Sequence, residues 1–132
     1  MGEELLRLKE TTSILRSQGS KENTIAFLMA ISQLLPPSDD LALSLGKKGT
    51  HEYVVDRRGV AVITTSQDEY LPFFSAMEKR INYESIPPDI LIKVAREPKE
   101  LLVQLAKILK DFSKTHPKYS NLASEVEVLA KG

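Results

Sequence analysis

Between Pro98 and Lys114 the residues Leu101, Leu102, Leu105, Ile108, Leu109 and Phe112 recur with the three- and four-residue spacing that lines up side chains along one stripe of an α-helix. At roughly 100° per residue these six positions fall within an arc of about 120°, with Glu100, Gln104, Lys107, Asp111 and Lys114 on the other side. Such a helix needs a core on one face and leaves the other to water or a partner. Pro98 suits the first helical turn, and Pro117 lies just past the end. Whatever the rest of the chain does, it must supply an apolar surface for this stripe.

The flanking segments supply more helices. Residues 3–18 carry Leu5, Leu8, Thr12 and Leu15 on one side, with Glu3 and Glu4 in the first turn. Gly19 ends this segment. Ser20 is a natural N-cap for a second helix, whose apolar residues from Ile25 to Leu35 point almost all round, so it belongs at the centre of the molecule. Pro36 and Pro37 stop it, and Ser38 with Asp39 and Asp40 predicts a short third helix closed by Gly46. Gly46 to Thr50 then reads as a basic loop. Tyr53–Val55 and Val60–Thr65 are β-branched and aromatic runs joined through Asp56-Arg57-Arg58-Gly59, the pattern of a β-hairpin. A lone ribbon is marginal in water, so it must lie on the helices, pair with another chain or be ordered by a ligand. Ser66 to Glu69 matches a capping box, and Phe73, Ala76, Met77, Arg80 and Ile81 have helical spacing, which predicts a helix up to Ile81. Pro87-Pro88-Asp89 opens a short helix, and Leu122, Val126 and Leu129 mark a terminal one. The expected fold class is therefore mainly α: one helical domain over residues 1–132, with a single β-hairpin inserted at about 50–66.

Eighteen basic residues balance eighteen acidic ones, so any affinity for nucleic acid must come from local clustering. With no Cys there is no disulfide framework, thiol nucleophile or cysteine-ligated metal, and a reducing cytoplasm is the expected compartment. Neither a basic-then-apolar leader nor an apolar run near the ~20 residues of a membrane span is present.

Catalytic chemistry finds little to work with. His51 and His116 are the two histidines, far apart in sequence and without metal-ligand spacing around either. His51 reads as an exposed loop residue and His116 as a helix-end residue. Asp39-Asp40 and Asp68-Glu69 sit where helix caps favour negative charge, and adjacent helical residues do not share a face. Gly46-Lys47-Lys48-Gly49-Thr50 lacks the eight-position pattern of a nucleotide-binding P-loop. The expectation is a protein that is not an enzyme and uses no metal or cofactor. What stands out is positive charge. Lys47, Lys48, Arg57 and Arg58 face only Glu52 and Asp56 across residues 47–58, and residues 93–118 hold seven basic residues against three acidic ones. If folding brought the hairpin tip over the helix bearing Lys107, Lys110 and Lys114, the two clusters would form one strip able to displace counterions from phosphates. Tyr53 and Tyr70 could stack on bases beside it, or serve as core residues.

The order of helices, basic loop at Gly46–Gly49, hairpin at Glu52–Thr65 and longer helical half resembles the small helical subunit of archaeal type I-A CRISPR interference (Cascade) complexes. That resemblance is one of layout and size. It implies a non-catalytic subunit of an antiviral ribonucleoprotein, contacting other subunits and helping to hold RNA or single-stranded DNA. Lys47, Lys48, Arg57, Arg58, Lys107, Lys110 and Lys114 are the candidate contacts on charge alone. Two other readings stand beside it. A winged-helix DNA-binding regulator has three helices followed by a hairpin, although Asp39 to Leu45 offers almost nothing to read base edges. An adaptor without nucleic-acid contact would use the terminal stripe and the hairpin edge, and self-association stays open.

Overall fold

Apolar stripes acquire meaning from what they are buried against, and here the partner of the helices is a sheet. The computed structural model describes residues 2–38, 40–67 and 74–132. Helices α1 (Gly2–Ser17) and α2 (Lys21–Leu34) come first, followed by strands β1 (Leu43–Lys48), β2 (His51–Asp56), β3 (Gly59–Gln67) and β4 (Phe74–Ile81). Helices α3 (Pro88–Arg96), α4 (Pro98–Ser113) and α5 (Ser120–Lys131) complete the chain. The strands form one antiparallel sheet in the order β1-β2-β3-β4.

The helical expectations at both ends hold. Ser20 caps α2 by accepting a hydrogen bond from the Asn23 N–H at 3.1 Å. Pro98 opens α4, and Leu101, Leu102, Leu105 and Leu109 are buried along it, with Ile108 and Phe112 at the margin of the core. Phe27, Leu28, Ala30, Ile31 and Leu34 are buried along α2, while Met29 on its remaining side is 46% exposed, so the helix is central without being enclosed all round. The hairpin is present as well, with Val55 opposite Val60 and Asp56 opposite Gly59.

The fold class is not. This is a mixed α/β molecule, not a helical bundle with one hairpin, because two segments expected to be helical are strands. Residues 38–46 contain no helix among the described residues; Leu43 to Lys48 pair with β2 instead. Leu43 and Leu45 are buried and Ser44 is less so, the alternation of a strand. In so short a run Leu41 and Leu45 also fit one helical turn, and the open edge of β2 tips the balance. A register shift between Ser44 and Gly46 marks a β-bulge. Gly46 there has φ +148°, and a side chain on it would meet Ile90 and Lys93 of α3. Gly46, Lys47 and Lys48 thus belong to a strand, and the turn itself is Gly49-Thr50, with Gly49 at φ +64°.

The helix expected to reach Ile81 is β4, paired with β3 from Val60–Ile81 to Gln67–Phe74. Met77, Glu78, Lys79 and Arg80 are all exposed, so no two-residue alternation marks the strand in sequence. Asp68 and Glu69 of the supposed capping box, with Tyr70 and Phe73, lie outside the described residues, as does Asp39. The predicted hairpin is therefore the middle of a four-stranded sheet, which resolves the marginality of a lone ribbon. One face of that sheet, through Leu43, Val55, Val60 and the half-buried Tyr53 and Ile81, joins the helical residues in a single apolar cluster. The three-helices-then-hairpin order, which carried the winged-helix reading, is not the order of this molecule, and Gly46 to Lys48 of the basic loop lie in β1.

Candidate polyanion-binding surface

Seven basic residues were singled out by charge, and the fold distributes them over three places. Lys47 and Lys48 end β1, while Arg57 and Arg58 form the turn between β2 and β3. These turns lie at opposite ends of β2, a separation of roughly 17 Å for a six-residue strand. They do not make one patch.

Nor is the second turn a free basic tip. Arg57 donates to the Leu35 carbonyl at 3.0 Å, which ties the turn to the end of α2. Asp56, only 5% exposed, is the centre of an ionic cluster: both terminal nitrogens of Arg80 donate to its carboxylate, one at 2.8 Å, and the Arg58 N–H donates at 2.9 Å. The Arg58 guanidinium stands 3.9 Å away. Burial pushes this carboxyl up, but the Arg80 hydrogen bonds, the Arg58 N–H and the two guanidinium charges together outweigh it and hold Asp56 below the usual aspartate range. Ser32 completes the cluster by donating to the Asp56 carbonyl at 2.6 Å. Tyr83 lies beside it, its phenol pushed up by burial and by the Asp56 charge against a hydrogen bond with Ser32. This arrangement is architecture: it locks the central hairpin to α2 and to β4.

At the first turn Lys48 reaches Asp89 of α3 at 3.4 Å, with both side chains more than half exposed. Lys47 forms no ion pair among the described residues.

The third place is α4. Lys99, Lys107, Lys110 and Lys114 follow one stripe beside α5 because their spacings of eight, three and four return to the same side of a helix. Lys99, Lys107 and Lys110 line an open cleft of about 450 Å³ with Val103, Ala106, Glu127, Ala130 and Lys131. A second, wider cleft of about 970 Å³ adjoins it, sharing Lys99, Val103, Ala130 and Lys131 and adding Arg16, Arg96, Glu97 and Glu100 among others. Six basic residues thus face three acidic ones along a surface in a chain whose total charge is zero. None of Lys99, Lys107, Lys110 and Lys131 forms an ion pair among the described residues; Lys114 stands 3.7 Å from Asp111, an exposed pair of little energetic weight.

Comparison with known proteins yields no relative. No protein-family model matches the chain, and no curated protein or solved structure matches it significantly. The surface has to be read from its own chemistry.

Arg57 shares a small cleft with Lys118, Tyr119 and Leu122, and no residue lines both it and the α4–α5 clefts. Sequence reasoning picked out Lys107, Lys110 and Lys114, counted Arg96 and Lys99 in the same basic stretch without assigning them to the site, and missed Arg16 and Lys131. Lys99 was legible, being on the same stripe. Arg16 and Lys131 were not, because only packing carries the end of α1, where Arg16 donates to the Leu129 carbonyl at 3.2 Å, next to the end of α5.

The remaining chemical candidates are occupied by small structural tasks. His51 is an exposed residue at the start of β2, its Nδ1 2.8 Å from the Thr64 hydroxyl. His116 stacks on Phe112 with ring centroids 4.2 Å apart. Tyr53 is half-buried in the apolar cluster. Among the described residues no group of three or more His, Asp or Glu side chains could hold a metal ion, and no helix is long and apolar enough to cross a membrane.

Proposed function

We propose that this chain is a non-catalytic subunit that binds the backbone of RNA or single-stranded DNA along the α4–α5 surface. The observation that carries the reading is the Lys99–Lys107–Lys110 stripe with Lys131 across the cleft, four ammonium groups on two packed helices, none in an ion pair among the described residues, against the one carboxylate of Glu127 in the same lining. From Lys99 to Lys110 the stripe runs roughly 16 Å along the helix axis, enough to meet several successive phosphates. Val103 and Ala106 in the same lining offer bases or sugars an apolar surface while the lysine charges meet phosphate. Nothing in the cleft supplies a pattern of donors and acceptors suited to base edges, so binding is independent of sequence and strongly dependent on salt. A place within a larger ribonucleoprotein is the setting in which such a weak, general grip is useful. The CRISPR complex named by resemblance draws no support from the observed layout, and the proposal is made for the ligand class.

The test is fluorescence anisotropy with a labelled oligo(U) and an oligo(dT) across a salt series. Lys107→Glu with Lys110→Glu should weaken binding at least tenfold and flatten the salt dependence by about 1.4 in log–log slope, two single-strand phosphate contacts. Lys47→Glu with Lys48→Glu, at the far turn, should leave affinity within about twofold. Equal binding by the Lys107/Lys110 variant, or no binding by the unmodified chain at low salt, overturns the proposal.

A further inference from the structure

The lysine stripe of α4 ends at an aromatic ledge. The His116 backbone N–H donates to the Phe112 carbonyl at 3.0 Å, so the chain keeps the helical course and carries His116 roughly 9 Å past Lys110 along the axis. The imidazole lies flat on the Phe112 ring, with centroids 4.2 Å apart and planes 3° from parallel. Tyr119 in turn meets Phe112 edge-on, with centroids 4.9 Å apart. Tyr119 is buried and Phe112 half-buried, whereas His116 is exposed. The Thr115 hydroxyl stands 3.0 Å from the imidazole Nδ1. The outermost ring of the three is therefore held at one nitrogen and supported on one face, and its exposure belongs to the other face and the rim. Lys114, the last lysine of the stripe, and Lys118 flank it two residues to either side.

We infer that His116 is a base-stacking residue, its outer face receiving one unpaired base of a strand whose phosphates follow the α4 lysines. The inference rests on that surface being the one that binds the strand. A base is the occupant that the chemistry of the ledge selects, because it joins a flat π-face to a phosphate and the ledge sets an open ring face beside lysines. Every base has such a face, so the contact adds affinity without reading sequence, in keeping with a cleft that offers no pattern for base edges. Phe112 and Thr115 already hold the imidazole in place, so little side-chain freedom is lost when a base settles on it. The other histidine supplies an internal comparison. His51 is also exposed and bonded to a hydroxyl, that of Thr64, but no ring stacks beneath it among the described residues, and it lies on the sheet rather than at the end of the stripe.

Two probes of equal length separate bases from phosphates: oligo(dT), and an oligomer that is abasic throughout. In fluorescence anisotropy His116→Ala should weaken oligo(dT) binding about five- to tenfold, toward the lower end of what one base–aromatic stack contributes. Its salt slope should stay that of the unmodified chain, since no phosphate contact is lost, and its affinity for the abasic oligomer should be unchanged. His116→Phe should keep the affinity for oligo(dT) within about twofold, and so should His51→Ala. Lys107→Glu with Lys110→Glu differs in kind, losing affinity for both oligomers and flattening the slope. The chain has no Trp, so His116→Trp places a single indole in the stack, and oligo(dT) but not the abasic oligomer should quench its emission. Unchanged oligo(dT) binding by His116→Ala, or an indole that is not quenched, overturns the stacking and leaves the lysine surface standing. Equal losses for both oligomers overturn it as well, by assigning His116 to phosphate or to the fold. Binding of neither oligomer by the unmodified chain at low salt overturns the surface and the stacking together. Circular dichroism establishes that each variant is folded, and quenching in His116→Trp decides the matter if His116→Ala is not.

Discussion

Replacing Arg80 by Gln tests the ionic cluster that fastens the central hairpin. Asp56 is 5% exposed and accepts from both Arg80 terminal nitrogens and from the Arg58 N–H. Without the Arg80 fork the carboxylate keeps one N–H donor and a guanidinium at 3.9 Å. Breaking a fully buried pair costs about 3 to 5 kcal/mol. Here Arg80 is partly exposed and Arg58 can swing inward, so the expected loss is about 2 to 3 kcal/mol at pH 7. The pH dependence separates this cause from simple loss of packing. In the native protein the Asp56 carboxyl titrates below its unfolded value, so its stabilisation is present above about pH 4 and disappears as pH falls through the lower folded value. In the variant only the Arg58 N–H and charge still oppose burial, so the carboxyl rises from its native position and the stabilisation it gives at neutral pH shrinks. The stability gap should therefore be widest near pH 7 and close as pH approaches about 3. Urea denaturation of both proteins at intervals from pH 3 to pH 7 measures it. Asp56→Asn combined with Arg80→Gln should recover part of the loss, since no buried charge remains. A gap below about 1 kcal/mol at pH 7, or one that does not vary with pH, would refute the reasoning.

Other expectations concern the helices. Leu105 is fully buried on α4, and Leu105→Ala should cost about 2 to 5 kcal/mol in urea denaturation; a loss well under 1 would remove the stripe from the core. Ser20→Ala removes the acceptor for the Asn23 N–H and should cost about 1 kcal/mol, while Ser20→Asp should be nearly neutral in the same assay. Gly49→Ala places a side chain at φ +64° and should lower stability by about 1 to 2 kcal/mol without changing oligonucleotide affinity.

What could be read before folding was what nearest neighbours along the chain dictate. The α4 stripe, the Ser20 cap, the Pro88 and Pro98 helix starts and the Asp56–Gly59 turn each depend on a few adjacent residues, and each is where the pattern puts it. Residues 41–45 and 76–81 failed for one reason. Their local patterns admit both periods, Leu41 and Leu45 by being few, Met77 to Arg80 by being exposed on both faces. Such segments take their conformation from whichever neighbour offers hydrogen bonds, and the free edges of the β2–β3 hairpin offered them on both sides.

The same division governs the surface. Lys99, Lys107, Lys110 and Lys114 share a stripe by arithmetic on residue numbers, since a helix repeats every 3.6 residues wherever it is placed. That Arg57 would be spent on the Leu35 carbonyl, that Lys47 and Arg58 would lie at opposite ends of one strand, and that Arg16 and Lys131 would join the α4 lysines are facts about contacts between distant parts of the chain. Charge along a chain is set by its residues, but charge per unit of surface exists only after the core has chosen which faces meet.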